Sequence, residues 1–441
     1  MKTLEEASSI SSSSRSDRRR IRPDVTLRAV RQWARERRIG PARFTHAYET
    51  AFLLAASRLL QSIFREGHAP HARLWQSDAG HWFLDLGREP MLRAPVSGLL
   101  PFRRLELTGF PSKVVAGRRR LLRSTGAFLN ALRPCVESSE LAQHFDRLIA
   151  DFDNSFANLV ISRLIAQRLD ARAQAIEPVY EGHHYYPFPA LRLGPSLRQI
   201  VECSNLCQEA IDLTLVAARP CLFDSTAYAD HQACFRAWAG IPVPRKADVM
   251  IPLHPWQLEL SPVIRELLRR RWIAVLDRGL EAVPLASQRT CRILRSGFDV
   301  KLPIDVRLTG QDRLLYPLNR ANATSFSSLA SILLRTSGET TLDFQYDVAS
   351  IAHADPFIGT HLAVIVRAPV CPRHAEIVVP ALNLWCGPRQ ARTMLDLCCR
   401  ERAYAFFRVY CRMLMRGHGR FLCAVGRGLR TTPAERVCSA A

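Results

Sequence analysis

Between Pro284 and Arg313 the chain reads PLASQRTCRILRSGFDVKLPIDVRLTGQDR, and this stretch constrains the fold more than any other. From Val300 to Leu308 every even position is apolar: Val300, Leu302, Ile304, Val306 and Leu308. Lys301, Pro303, Asp305, Arg307 and Thr309 take the odd ones. A strict period of two predicts a strand with one buried and one open face. The open face carries polar groups that suit an anionic ligand. Just upstream, Ser287 and Arg289 lie two apart and are expected to share a face of a preceding strand. Lys301 is informative because the chain has only four lysines, the others being Lys2, Lys113 and Lys246. An ammonium is a compact point charge and a guanidinium a planar fork, so the two do not exchange freely at a phosphate. Spacing alone is equally compatible with an ordinary antiparallel strand whose polar face is solvated.

A chain of 441 residues has room for two or three domains. Its 48% hydrophobic and 23% charged content is that of a globular, soluble protein. The net charge of +21 points to anionic partners. The arginines are spread along the chain rather than gathered in one stripe, and no zinc-finger, KH or RNP-like pattern is present. Nucleic acid is the usual partner of so basic a chain, but without such a pattern none is assigned, and a basic cleft for small anions fits the charge as well. Thirteen cysteines, an odd number with no CxxC pair, read as reduced and mostly buried thiols of a cytoplasmic protein. The spacings of Cys203 with Cys207 and of Cys398 with Cys399 fit no usual zinc site, and no metal-ligating residues are assigned. The longest apolar run, Ala51 to Leu60, is too short to span a bilayer and is broken by Ser57 and Arg58, so no membrane partner is expected.

Residues 1–38 are Ser-rich and then Arg-rich and read as a disordered basic extension. Residues 39–175 form a helical N-terminal domain with a small sheet. Tyr48, Phe52, Leu53, Ala56, Leu59, Leu60, Ile63 and Phe64 recur at helical spacing, as do Leu148, Phe152, Phe156, Leu159 and Leu164. Trp82 to Leu86 is a short strand candidate. Residues 176–360 are richer in strands and hold most of the ligand-like motifs. Residues 361–441 begin a last domain, in which Arg392 to Arg416 returns to helix.

Ser-x-Arg-Thr, followed by a strand with Lys, then Thr, then Arg, resembles the ATP-binding core of the NRPS-independent siderophore synthetases, the IucA/IucC family. Three further segments agree in order. EGHHYYPFPALRLG (Glu181 to Gly194) looks like the family's G-H-P-x-H-P-x-x-K-x-R-x-G stretch. PLHPWQ (Pro252 to Gln257) is similar to its H-P-W-Q signature. FIGTHLAVIVRAP (Phe357 to Pro369) resembles the strand ending in Arg that opens its last domain. The resemblance implies an α+β, cupped-hand architecture: a helical thumb, mixed and antiparallel β-rich fingers, and a helical palm.

It also implies chemistry. The family uses ATP and Mg²⁺ to activate a carboxylate, usually of citrate, as an acyl-adenylate, and an amine or alcohol then displaces AMP. Carried over residue by residue, Ser287, Arg289 and Thr290 would hold the phosphates and Lys301 would neutralise them. Thr309 and Arg313 would contact the carboxylate substrate, and His183 is a candidate phosphate contact. Lys301, Arg313 and His183 would be the catalytic set. Lys301 and Thr309 are eight residues apart, about 26 Å if fully extended, so they serve one site only if the chain bends, and Pro303 is compatible with a bend or with an edge position. The family motif's second His is Tyr186 here and its Lys is Ala190, while Arg192 and Gly194 are kept. His254, Trp256 and Gln257 are expected to shape the domain rather than react. A homodimer is compatible with the reading. Beyond MLMRGHG the text RFLCAVGRGLRTTPAERVCSAA lacks the family's E-x-H-x-Q-N motif. The expectation is a truncated palm, and as an alternative function a catalytically impaired remnant with weak nucleotide binding.

Overall fold

The computed structural model describes residues 25–98, 105–136, 140–166, 186–206, 209–219, 249–285, 287–318 and 347–368, with isolated positions between them. His183 and the helix expected over Arg392 to Arg416 lie outside the described residues. Helices and antiparallel strands both contribute, as an α+β fold requires. The described chain forms two compact units, one within Val25–Arg192 and one within Leu193–Val378. No helix among the described residues is long and apolar enough to cross a membrane.

In the first unit, α1 (Leu27–Glu36) starts at Thr26, whose hydroxyl accepts from Ala29 N at 3.2 Å. Helix α2 (Pro41–Glu66) has Pro at its first position and ends at Gly67, whose φ of +73° closes the helix in the left-handed region. Five strands then follow as an antiparallel meander in chain order: β1 (Arg73–Gln76), β2 (Trp82–Leu86), β3 (Met91–Val96), β4 (Ser112–Val115) and β5 (Arg118–Leu121). The strand expected at Trp82 is therefore present. Helices α3 (Thr125–Leu132) and α4 (Phe145–Ala166) complete the unit. Their apolar stripes meet α2 around Phe52, whose ring stacks on Phe110 at 5.7 Å and meets Phe128 and Phe156 edge-on at 5.8 and 6.4 Å.

The second unit is built on a seven-stranded antiparallel sheet. Its strands are β6 (Ile211–Ala218), β7 (Val249–Leu253), β8 (Ile273–Pro284), β9 (Thr290–Ile293), β10 (Asp299–Lys301), β13 (Asp347–Ala352) and β14 (Ala363–Arg367), in spatial order β13-β14-β10-β9-β8-β6-β7. A separate hairpin, β11 (Ile304–Leu308) with β12 (Gln311–Arg313), lies between β10 and β13 in sequence. Helices α5 (Leu197–Cys203), α6 (Pro255–Leu260) and α7 (Pro262–Arg269) belong to the same unit. Val263, Ile264 and Leu267 of α7 share one face and enter the core with Leu213, Leu215, Val300, Val364 and Val366 of the sheet.

The alternation from Val300 to Leu308 is not one strand. Its even positions are all buried, as expected, but the chain leaves the large sheet after Lys301 and re-enters β structure at Ile304 in the hairpin. Pro303 has no N–H for a ladder, and the break falls there. The odd positions therefore do not form one continuous polar face. Ser287 and Arg289 also depart from expectation. They sit in a turn before β9, not on a strand, because Gln288 N donates to Leu285 O at 2.7 Å and Gln288 adopts φ +63°.

The aromatic core of the first unit gives a direct stability test. Phe52→Ala removes a fully buried ring from three aromatic neighbours. It should cost about 3–5 kcal/mol in urea unfolding, and a loss below 1 kcal/mol would show that the ring cluster is not packed as described.

Candidate functional site

A row of charges of alternating sign runs across four neighbouring strands of the large sheet. Strand pairing sets Arg292 opposite Asp299, Asp299 opposite Arg367, and Arg367 opposite Asp347, across β9, β10, β14 and β13. Arg292 holds Asp299 with two bonds, at 2.8 and 3.2 Å, and Arg367 Nε donates to Asp347 at 2.7 Å. Asp299 is 1% exposed, so its charge needs these partners. Two residues along, the next row is Thr290, Lys301 and Ile365. In that row Lys301 faces no carboxylate.

Other cations crowd Lys301. Arg289 precedes Thr290, and its carbonyl accepts from Leu302 N at 2.7 Å while its guanidinium donates to Leu314 O at 3.0 Å. Arg313 returns through the hairpin to pair with Ile304, three residues from Lys301. The turn uses Thr309 and Gly310 at φ +47° and +81°, the double left-handed geometry of a two-residue hairpin. Left-handed backbone is uncommon for a β-branched residue, so Thr309 is held there against its preference. Its hydroxyl accepts from the Arg313 guanidinium. The chain thus turns back between Lys301 and Arg313, and the Arg313 guanidinium reaches both the Thr309 hydroxyl and the surroundings of Lys301.

Crowding shows in the titration of these groups. Burial pushes Lys301 down to about 8, helped by Arg289, Arg367 and Arg313 and opposed by Asp347. Burial, then Arg313 and Arg367, pushes Arg289 down to about 10. Four cations therefore repel one another around one point, with Asp347 already bound to Arg367. Such a cluster is stabilised by an incoming anion. Ser287 Oγ accepts from Thr290 N at 3.1 Å and donates to Thr290 Oγ1 at 2.8 Å, which places both hydroxyls at the same turn.

The remaining motif residues are architectural. His254 caps α6, its Nδ1 accepting from Trp256 N at 3.1 Å, and burial pushes its pKa down to about 3. Trp256 is fully buried and its indole donates to Gln199 O at 3.2 Å. Gln257 joins three segments: its amide donates to His361 O at 2.8 Å and accepts from Asp305 N at 2.7 Å. Beside it Ser261 Oγ lies 3.2 Å from Asp305 Oδ2 and 3.3 Å from His361 Nδ1. Asp305, expected on the open polar face, instead belongs to this brace. In the first unit Arg192 is buried against Asn154 and Asn158. Ala190 is 5% exposed with its N–H on Ser155 Oγ, so a lysine there would be buried. Asp347 and Arg367 were not among the residues assigned from the sequence. The signal for Arg367 was its place at the end of an apolar strand, but only sheet pairing brings it to Lys301.

Residues 172–385 match the model of the IucA / IucC family. No curated protein matches the chain. Among solved structures, the petrobactin biosynthesis protein AsbB from Bacillus anthracis str. Sterne is 17% identical with a TM-score of 0.60, over 77% of this chain and 62% of AsbB. The ATP-bound aerobactin synthetase IucA from a hypervirulent pathotype of Klebsiella pneumoniae is 17% identical with a TM-score of 0.56, over 71% of this chain and 60% of IucA. Aerobactin synthetase IucC from the same source gives 17% and 0.52, over 73% and 61%. At this identity the likeness is one of fold, and the chain spans about three fifths of each structure's length.

The Gln257 brace can be tested without a ligand. Gln257→Leu keeps the volume but strips the side-chain partners from Asp305 N–H and His361 C=O. It should lower stability by about 1–3 kcal/mol in denaturant titration. No change would mean that the brace does not hold the hairpin.

Proposed function

The chain belongs to the IucA/IucC family through residues 172–385, and from that premise we propose that it is an ATP-dependent siderophore synthetase. It would adenylate a citrate-like carboxylate and join it to an amine or alcohol. A carboxylate oxygen attacks the α-phosphorus of ATP and pyrophosphate leaves. The nucleophile then attacks the acyl carbon, loses its proton, and AMP departs with the bonding electrons. The observation that carries this reading is the gathering of Arg289, Arg313 and Arg367 around Lys301.

Negative charge grows on the α-phosphate in the first step, and preorganised cations stabilise it there. Lys301 and Arg289 are the groups proposed to do so. Ser287 donates to Thr290, which leaves the Thr290 hydroxyl hydrogen for a phosphate oxygen. Arg313, steadied by Thr309, would grip the substrate carboxylate through its fork. His183, outside the described residues, is proposed as a further phosphate contact. Among the described residues no group of three or more His, Cys, Asp or Glu could cage a metal. Mg²⁺ would fit as a companion of the phosphates, since it keeps several waters and takes only one or two carboxylates. Asp347 is the carboxylate beside Lys301.

Lys301→Ala should weaken ATP binding by about 1.5–3 kcal/mol in calorimetry, the scale of a charge-assisted hydrogen bond, with Lys301→Arg a poor rescue. ATP affinity unchanged in the Ala variant would remove Lys301 from the site. Citrate-dependent pyrophosphate release tests the reaction itself. ATP binding without release would favour the nucleotide-binding remnant as the function.

The pH dependence has a definite sign. Lys301 is depressed to about 8 without ligand, and bound phosphates raise it. ATP affinity should therefore be full below pH 8 and fall as pH rises above it. Lys301→Ala should flatten that fall. The same depression means that unfolded Lys301 holds its proton to higher pH than folded Lys301, so its contribution to stability without ligand improves above pH 8.

A further inference from the structure

The helical unit contains a cavity of about 380 Å³. It is large enough for a small organic molecule. Two helical stripes form its walls. Leu59, Ser62, Ile63 and Glu66 recur on one face of α2, and His144, Leu148 and Asp151 recur at the same spacing at the start and along α4. Tyr186 and Phe188 close the third side as an edge-to-face pair 5.8 Å apart. This lining is mainly apolar.

The arginines and carboxylates of the lining pair within the wall, beside the imidazoles of His68 and His144. Arg65 lies 2.7 Å from Glu66, and Arg147 lies 3.9 Å from Asp151. Matched charges give no net pull on an ion, so the occupant should be neutral. Ser62 is 8% exposed, and its hydroxyl has no hydrogen-bond partner among the described residues. A helical serine usually returns its hydroxyl to the carbonyl four residues back, as Ser57 does to Leu53 at 2.7 Å. An unpartnered buried hydroxyl carries a desolvation cost that a hydrogen-bonding guest would relieve. The aromatic pair offers a ring a favourable edge or face.

We propose that this cavity is a binding site for a neutral, mainly apolar small molecule of the alkylphenol class. Its ring would lie against Tyr186 and Phe188, and its hydroxyl would bond to Ser62 after rotation of the serine side chain. The proposal does not rest on the chemistry proposed above.

The test is calorimetric titration of the full chain with 4-propylphenol, and with propylbenzene as the probe that lacks the hydroxyl. The expected result is saturable one-to-one binding of 4-propylphenol. Ser62→Ala should weaken it by roughly fivefold to tenfold, the scale of one hydrogen bond, and leave propylbenzene unaffected. Leu148→Trp should abolish binding of both by filling the space. Thermal unfolding separates the proposal from a purely structural serine. With no bond to lose, Ser62→Ala should melt no lower than the parent when ligand is absent. The proposal is overturned by absence of saturable binding, by 4-propylphenol affinity that Ser62→Ala leaves unchanged, or by an Ala variant that melts clearly lower. Should Leu148→Trp fail to fold, the Ser62 comparison decides alone.

Discussion

Arg292, Asp299, Arg367 and Asp347 form a row in which each charge faces its opposite on the neighbouring strand. Oppositely charged cross-strand pairs stabilise a sheet, and here they also fix its register. A slip of one residue would turn these charges into the apolar core and bring Val300 and Val366 out of it. The row binds β9, β10, β14 and β13 in a single arrangement. The place of Lys301 follows from that arrangement, because the next row on that face must then set it between Thr290 and Ile365, with no acid opposite.

An unbalanced lysine beside three arginines is unfavourable for the fold by itself. Burial and mutual repulsion both act against the charged form of Lys301, and its pKa of about 8 records this. The surrounding structure tolerates the repulsion because the Arg289 carbonyl and guanidinium are tied to Leu302 and Leu314. Groups held in place before the anion arrives lose little freedom when it binds, which is how a preorganised cluster converts charge into affinity. Thr309 and Gln288, both non-glycine residues with left-handed backbone, stand in the two turns that present these cations. Strain of this kind is characteristic of sites where geometry serves a ligand.

The H-P-W-Q segment shows how a sequence signature can be architectural. None of its side chains belongs to the cation cluster. His254 and Trp256 fix the start of α6, and Gln257 ties that helix to Asp305 at the start of the hairpin and to His361 before β14. The hairpin that carries Thr309 and Arg313 is therefore held at its root by a glutamine far along the chain. Such a residue is positioned by, and positions, polar backbone that has to be satisfied when buried.

Much of this was legible in the sequence. The period of two marked the buried series Val300, Leu302, Ile304, Val306 and Leu308, since side-chain alternation is a local property of extended backbone. Helical spacing marked α2 and α4 for the same reason. The scarcity of lysine singled out Lys301, and the order of the motifs pointed to the family. Pro303, which cannot donate to a ladder, marked where the chain could turn. What the sequence could not decide was which residues become neighbours through pairing of distant strands. Arg367 and Asp347 reach Lys301 only because β14 and β13 lie beside β10. Asp305 leaves the polar series for the Ser261–His361 brace only because the hairpin is a separate sheet. Ser287 and Arg289 lie in a turn because of one residue, Gln288, in a conformation that composition does not announce. Local periodicity fixes which way a side chain faces, but register between strands decides what it meets.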